Sequence, residues 1–232
     1  MERRAFTLLA GMEHSWWYRA RARTVRIAMR HIPLAPTKIL DFGAGFGGML
    51  DTLLTTGAQV YAYEPDEQAR AKCLLRGYAG VFATIEEAFS QTYDAICLFD
   101  VLEHIEDDQA FLRQARQALS EKGALVLSVP AFQFLWSSHD VEHQHHRRYS
   151  ASLLTNRIEI TGYRMCYVSY WNALLFLPAF FMRLIGKTGE SSLSLPNSAN
   201  SLFLGITWTE SLWMRAWPLP FGTGLVAVVQ KK

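Results

Sequence analysis

The chain has 232 residues, half of them hydrophobic, enough apolar material for one large buried core. With 23 basic against 21 acidic residues the net charge is +2, so no whole-chain field recruits nucleic acid or an anionic membrane. Cys73, Cys97 and Cys166 form no CxxC pair, which predicts free thiols in a reducing cytoplasm, and the first residues lack the apolar core and cleavage site of a secretion signal.

In chain order, the pattern predicts a single domain over 1–232. Residues 1–31 form an N-terminal lid segment, with a helix from Arg19 to about His31 that the two prolines of "IPLAPTK" terminate. Apolar runs at "KILDFG", "QVYAYEP", "GVFAT", "YDAICLFD" and "GALVLSVP" predict strands, separated by helical patterns over 47–56, 66–77, 85–89 and 107–121. That alternation implies an α/β fold with a doubly wound, mostly parallel, Rossmann-like sheet. After Pro130 come an aromatic and histidine-rich loop, "AFQFLWSSHDVEHQHHRRYS", a helix near 151–161 and a strand "RMCYVSYWN". Residues 173–215 predict an inserted hairpin of two apolar helices around a Ser-rich loop, and "GTGLVAVVQKK" a final strand. The run "WNALLFLPAFFM" is too short to span a bilayer and contains Pro178, so no transmembrane segment is expected. Core packing, a lipophilic acceptor pocket, a dimer surface and peripheral membrane contact remain open for it.

The stretch "ILDFGAGFGG" admits two cofactors. Gly43, Gly45 and Gly48 have dinucleotide-fingerprint spacing, while Gly43, Gly45 and Gly47 overlap it and suit a different nucleoside ligand. The neighbouring charges discriminate. Asp41 closes the first strand and Asp100 the fourth, so carboxylates cluster where a pyrophosphate would meet them unfavourably and a sulfonium with an α-ammonium group would not. Glu64, closing "VYAYE", suits vicinal ribose hydroxyls, a feature both cofactors share.

These three motifs, in this order, resemble the class I S-adenosylmethionine-dependent methyltransferases. The resemblance implies S-adenosylmethionine as cofactor, a seven-stranded sheet whose last strand inserts antiparallel, and "YAYEP", with Glu64 and Pro65, as the ribose motif. More narrowly, "HSWWYRARAR" and "WSSHDVEHQHHRRYS" resemble bacterial type 11/12 methyltransferases carrying W-W-[FY]-R-x-R and H-D-x4-H-x-R-R-Y signatures. That match implies a lid of Trp16, Trp17, Tyr18, Arg19 and Arg21 beside the cofactor. It also implies an acceptor-side loop with His145, Arg147, Arg148 and Tyr149. Two departures stand out: Gln144 occupies a position commonly glycine, and "ATIEEA" lacks the acidic residue many relatives use for adenine, leaving Thr84 and Ile85 backbone atoms for that contact.

The acceptor implied is a small or lipid-linked molecule methylated at oxygen or carbon. His145 is the candidate base or positioning group, and His104 either lines the transfer pocket or caps a helix. Arg147 and Arg148 either bind an acceptor anion or pair with Asp140 or Glu142. Trp16 and Trp17 are lid or core. His139, His143, His145 and His146 have neither a cysteine nor an HExxH helix with them, so no metal is expected. An NAD(P)-dependent oxidoreductase and a non-catalytic S-adenosylmethionine-binding subunit are the alternatives.

Overall fold

The computed structural model describes residues 15–184 and 197–232. Seven strands, β1 Lys38–Phe42, β2 Gln59–Tyr63, β3 Gly80–Phe82, β4 Tyr93–Phe99, β5 Leu119–Pro130, β6 Tyr163–Trp171 and β7 Gly224–Lys231, form one sheet. Its order is β3-β2-β1-β4-β5-β7-β6. Strands β1 to β5 pair in parallel, and β7 lies antiparallel between β5 and β6. The doubly wound, mostly parallel sheet and the antiparallel last strand are as expected.

The helices in chain order are α1 Trp16–Met29, α2 Leu50–Leu54, α3 Glu67–Arg76, α4 Ile85–Phe89, α5 Asp108–Gln117, α6 Ser138–Glu142, α7 Ala151–Ile160, α8 Phe176–Leu184 and α9 Asn197–Met214. Alternate residues of each strand feed opposite faces, which is why central strands read as continuous apolar runs. Ile39, Val60, Ala95, Val126 and Val228 join a core with α1 residues such as Val25 and Ala28. Leu40, Ile96, Leu125 and Ala227 join a second core with Leu112 of α5 and Leu154 of α7.

Of the boundaries that differ from the sequence pattern, two do so for identifiable reasons. Helix α1 starts at Trp16 rather than Arg19 because Ser15 is its N-cap, the hydroxyl accepting from the Tyr18 N–H at 3.2 Å. Helix α5 stops at Gln117 and β5 begins at Leu119, four residues before "GALVLSVP", because Leu119 pairs with Tyr93 across an irregular register.

The inserted segment supplies α8 and α9, while the centre of its Ser-rich loop, 185–196, lies outside the described residues. Glu210 of α9 anchors this unit, its carboxylate accepting from the N–H groups of Asn172 (2.5 Å) and Leu174 (3.0 Å) just after β6. Among the described residues no helix is long and apolar enough to cross a membrane.

Candidate active site

The strand order reverses between β1 and β4, and the loops leaving their carboxyl ends open a crevice. Gly43 follows β1 with φ +76°, and a Cβ there would meet Val101 Cγ2, just beyond β4, at 2.7 Å. Backbone conformation and the closeness of the facing loop both require glycine. Gly45 has φ +56° with open space where a side chain would project, so a ligand can reach its main chain. Its N–H donates to Glu64 Oε2 at 2.7 Å. Gly47 also has positive φ, +76°.

Gly48, third glycine of the dinucleotide spacing, does something else. A Cβ there would collide with the Tyr18 ring, so this glycine lets α1 dock onto the loop. The overlap between the two glycine patterns therefore resolves structurally: Gly43, Gly45 and Gly47 shape the turn, and Gly48 makes room for Tyr18 of α1.

Three carboxylates stand at the strand ends. Asp41 is buried, which pushes its carboxyl up to about 6 even though the Tyr78 hydroxyl donates to it at 2.7 Å. Glu64 is buried and raised by burial, against hydrogen bonds from the N–H groups of Asp66 and Gly45. Asp100 has φ +57°, accepts from Ser128 Oγ at 3.0 Å and pairs with Arg21 at 2.5 Å.

Arg21 is the cation among them. Its guanidinium lies 4.6 Å from the Trp17 ring centre and 4.5 Å from that of Tyr18. Its Nε is buried without a hydrogen-bond partner, a donor free for a ligand carboxylate. Arg19 instead is exposed on α1. Trp16 packs on Phe203 of α9 at 5.2 Å, and Trp17 on Trp171 of β6 at 6.1 Å, so the tryptophans tie α1 to α9 and to the sheet. Pro65 is exposed, its carbonyl accepting from Arg70 at 2.9 Å. Thr84 caps α4: its hydroxyl accepts from the Glu87 N–H and its own N–H donates to the Glu87 carboxylate, while Ile85 is half-buried against the second core.

The histidine loop is organised around buried Asp140. Arg148 donates to it twice, Nε to Oδ1 at 2.8 Å and Nη2 to Oδ2 at 2.9 Å, and His145 Nδ1 meets Oδ1 at 2.9 Å. Against the upward push of burial, the hydrogen bonds from His145 and Arg148 hold this carboxyl well below the usual range. Arg147 pairs with Asp108 at 3.1 Å and donates to the carbonyls of Ile105 and Glu106. Tyr149, fully buried, donates to Asp108 at 3.0 Å. Both arginines and the tyrosine of the motif are thus committed to the fold, Arg148 to Asp140 and Arg147 to Asp108 rather than to Glu142.

His145 and His104 do converge. His104 closes a 3₁₀ turn over Leu102–His104, and the two rings are edge-to-face with centres 4.6 Å apart. Burial, then the neighbouring His145, pushes the His104 imidazole down to about 4, so it is neutral at ordinary pH. His139 and His143 face each other at 3.9 Å, and burial lowers His139 to about 4. Gln144 has φ +56°, a conformation glycine adopts freely, which accounts for glycine in the resembling sequences.

Sequence reasoning passed over two residues here, Glu103, which sits inside a quoted motif, and Tyr78, which carried no signal. Asp140 was legible only as an ion-pair partner for the arginines, and Gly48 only as part of the competing pattern.

A family model described as a methyltransferase domain matches residues 12–168. The ubiquinone biosynthesis O-methyltransferase of Salmonella arizonae is 30% identical over 111 residues, covering 44% of this chain and 46% of that protein. The chain spans less than half the length of the curated relatives it matches. Among solved structures, a SAM-dependent methyltransferase from Archaeoglobus fulgidus superposes with TM-score 0.57 at 16% identity, over 90% of this chain and 94% of that one. The mycolic acid cyclopropane synthase CmaA1, complexed with SAH and CTAB, superposes with TM-score 0.55 at 15% identity, over 90% of this chain and 83% of that one.

Proposed function

From the premise that this chain belongs to the methyltransferase-domain family, we propose that it transfers a methyl group from S-adenosylmethionine to a small or lipid-like acceptor. The observation that carries the proposal is the charge layout of the crevice. Asp41, Glu64 and Asp100 ring an open glycine turn, and one buried arginine has an unpartnered Nε. That set suits a ligand with a ribose, a cationic sulfonium with its ammonium group, and one carboxylate. It disfavours the pyrophosphate of NAD(P), because the carboxylates of Asp41, Glu64 and Asp100 stand together around the turn.

When bound, S-adenosylmethionine supplies an electrophilic methyl on a good thioether leaving group, so the protein contributes chiefly position and dryness. Glu64 holds the Gly45 turn and presents its carboxylate to ribose hydroxyls. Arg21 turns its Nε to the ligand carboxylate, with Trp17 and Tyr18 enclosing the cation. Tyr18, seated against Gly48, closes the crevice and excludes water. Thr84 and Ile85 border the adenine end, and Pro65 the ribose end.

On the acceptor side His145 projects from a loop fixed by Asp140 and Arg148, with His104 beside it. Its Nδ1 is held by Asp140, leaving Nε2 to orient an acceptor and to take the proton of a hydroxyl. An aromatic run of Phe132, Phe134, Phe176 and Phe180 leads from this loop to α8, with successive ring centres 5.1, 6.3 and 6.4 Å apart. It favours an acceptor with a sizeable apolar part. The CTAB in the cyclopropane synthase complex supports the same class.

The test is paired. Calorimetric titration with S-adenosylhomocysteine and with NADH should show saturable binding of the first alone. Transfer of radiolabelled methyl to fractionated lipid and aqueous extracts should then appear in the lipid fraction. NADH binding without S-adenosylhomocysteine binding overturns the cofactor assignment. Cofactor binding with no labelled product in any fraction favours the non-catalytic binding subunit.

A further inference from the structure

We propose that Glu103, His104 and His145 form a binding site for one divalent first-row transition-metal ion of the zinc type. Each residue offers one ligand atom, and these three atoms lie within 4.8 Å of one another. Ligands about 2.1 Å from a tetrahedral ion stand roughly 3.4 Å apart, so the three atoms would draw together by about 1.4 Å at most on binding.

The site is built from two segments that the sequence separates. Glu103 and His104 lie on the turn after β4, and His145 on the loop after α6. The His146 N–H, donating to the Glu103 carbonyl at 2.8 Å, clips the two segments together.

Three observations single out this cluster from the other histidines of the loop. First, Glu103 is 1% exposed, yet its Oε2 has no hydrogen-bond partner. A buried carboxylate oxygen without a partner is costly, and a cation is the group that would satisfy it. Second, the His104 ring stands edge-to-face beside that of His145 with centres 4.6 Å apart, and His145 already has one ring nitrogen fixed, Nδ1 held by Asp140 at 2.9 Å. This is how a histidine ligand is oriented, one ring nitrogen tied to a carboxylate or carbonyl and the other left with its lone pair outward. Third, Asp140 is locked by two hydrogen bonds from Arg148, so the orienting carboxylate is itself rigid. Two imidazoles and one carboxylate are a donor set that zinc accepts, with a fourth position left for water or an acceptor oxygen.

The inference departs from the expectation of a metal-free loop, because that expectation weighed the four loop histidines without Glu103 and His104. It also gives His145 Nε2 a second use. While an ion is coordinated, that nitrogen cannot accept a proton. A hydroxyl acceptor bound at the fourth position would then release its proton to water, its oxygen forming the new bond to the methyl carbon as the carbon–sulfur bond breaks. That last step rests on the methyl-transfer proposal; metal binding does not.

The experiment uses the full chain purified without an affinity tag, stripped with a chelator and titrated with Co²⁺. The expected result is one equivalent bound, with visible d–d absorption of a tetrahedral ion, displaced by Zn²⁺. Glu103→Gln and His104→Ala should each abolish the saturable absorption, while His143→Ala should keep it. Thermal denaturation with Zn²⁺ should raise the midpoint of the wild type and not of Glu103→Gln. S-adenosylhomocysteine titration of the same variants reports folding and separates this idea from the cofactor assignment. Absence of saturable Co²⁺ uptake by the wild type overturns the proposal. So does uptake that survives in folded Glu103→Gln and His104→Ala, which would mark adventitious binding by surface histidines.

Discussion

The glycine turn and the histidine loop are both dense in quoted motif residues, yet they use them in opposite ways. At the turn, polar groups stand around open space: Gly45 faces nothing, Arg21 has a spare donor, and Glu64 presents a carboxylate. In the loop, most charged motif residues are consumed internally, Arg148 on Asp140, Arg147 and Tyr149 on Asp108. Beside them Glu103, His104 and His145 bring their donor atoms within 4.8 Å of one another. Motif density therefore marks a site in one case and mostly the scaffolding of a site in the other. A conspicuous arginine can be present to hold the carboxylate that holds one histidine.

The sharpest way to break this contrast is to remove the scaffold. Arg148→Ala leaves Asp140 buried and half-paired, and should cost about 3–5 kcal/mol of stability by denaturant titration. A loss under about 1 kcal/mol would return Arg148 to the role of an acceptor-anion binder. At the turn the effect should fall on binding instead. Arg21→Ala should weaken S-adenosylhomocysteine by about 2 kcal/mol, whereas Arg19→Ala, at an exposed position, should change little. Isothermal titration of both decides which arginine meets the ligand carboxylate.

Glu64→Ala removes both the ribose acceptor and the brace of Gly45, and should cost about 1–3 kcal/mol of binding. An unchanged dissociation constant would move the ribose elsewhere.

A pH series sharpens the electrostatic half of the contrast. Folding raises the Asp41 carboxyl from 3.8 to about 6, so the folded protein favours the neutral form. The resulting penalty is absent below about pH 4, grows between about pH 4 and 6, and is complete above. Once ionised, Asp41 attracts a cationic ligand, so affinity for S-adenosylmethionine should rise about tenfold from pH 5 to 7. Asp41→Asn should flatten that rise, and a wild-type profile already flat would remove Asp41 from the cofactor field. The smallest effect belongs to Gln144→Gly, which relieves φ +56° and should change stability by under about 1 kcal/mol, favourably if strain outweighs the added chain entropy. Thermal unfolding reads its sign.

The order of strands and helices was legible in the residues because hydrophobic periodicity and turn chemistry act over a few positions, and each is written locally. So were the glycines with positive φ at 43, 45 and 47 and the carboxylates Asp41, Glu64 and Asp100, which strand ends place by simple counting. Tertiary structure alone decided which partners distant residues find: Gly48 beneath Tyr18, Tyr78 on Asp41, Arg21 on Asp100, Arg147 on Asp108, and Glu103 beside His145. Those pairings depend on which loops the sheet order brings together, and a charge or a lone pair carries no record along the chain of the group it will meet.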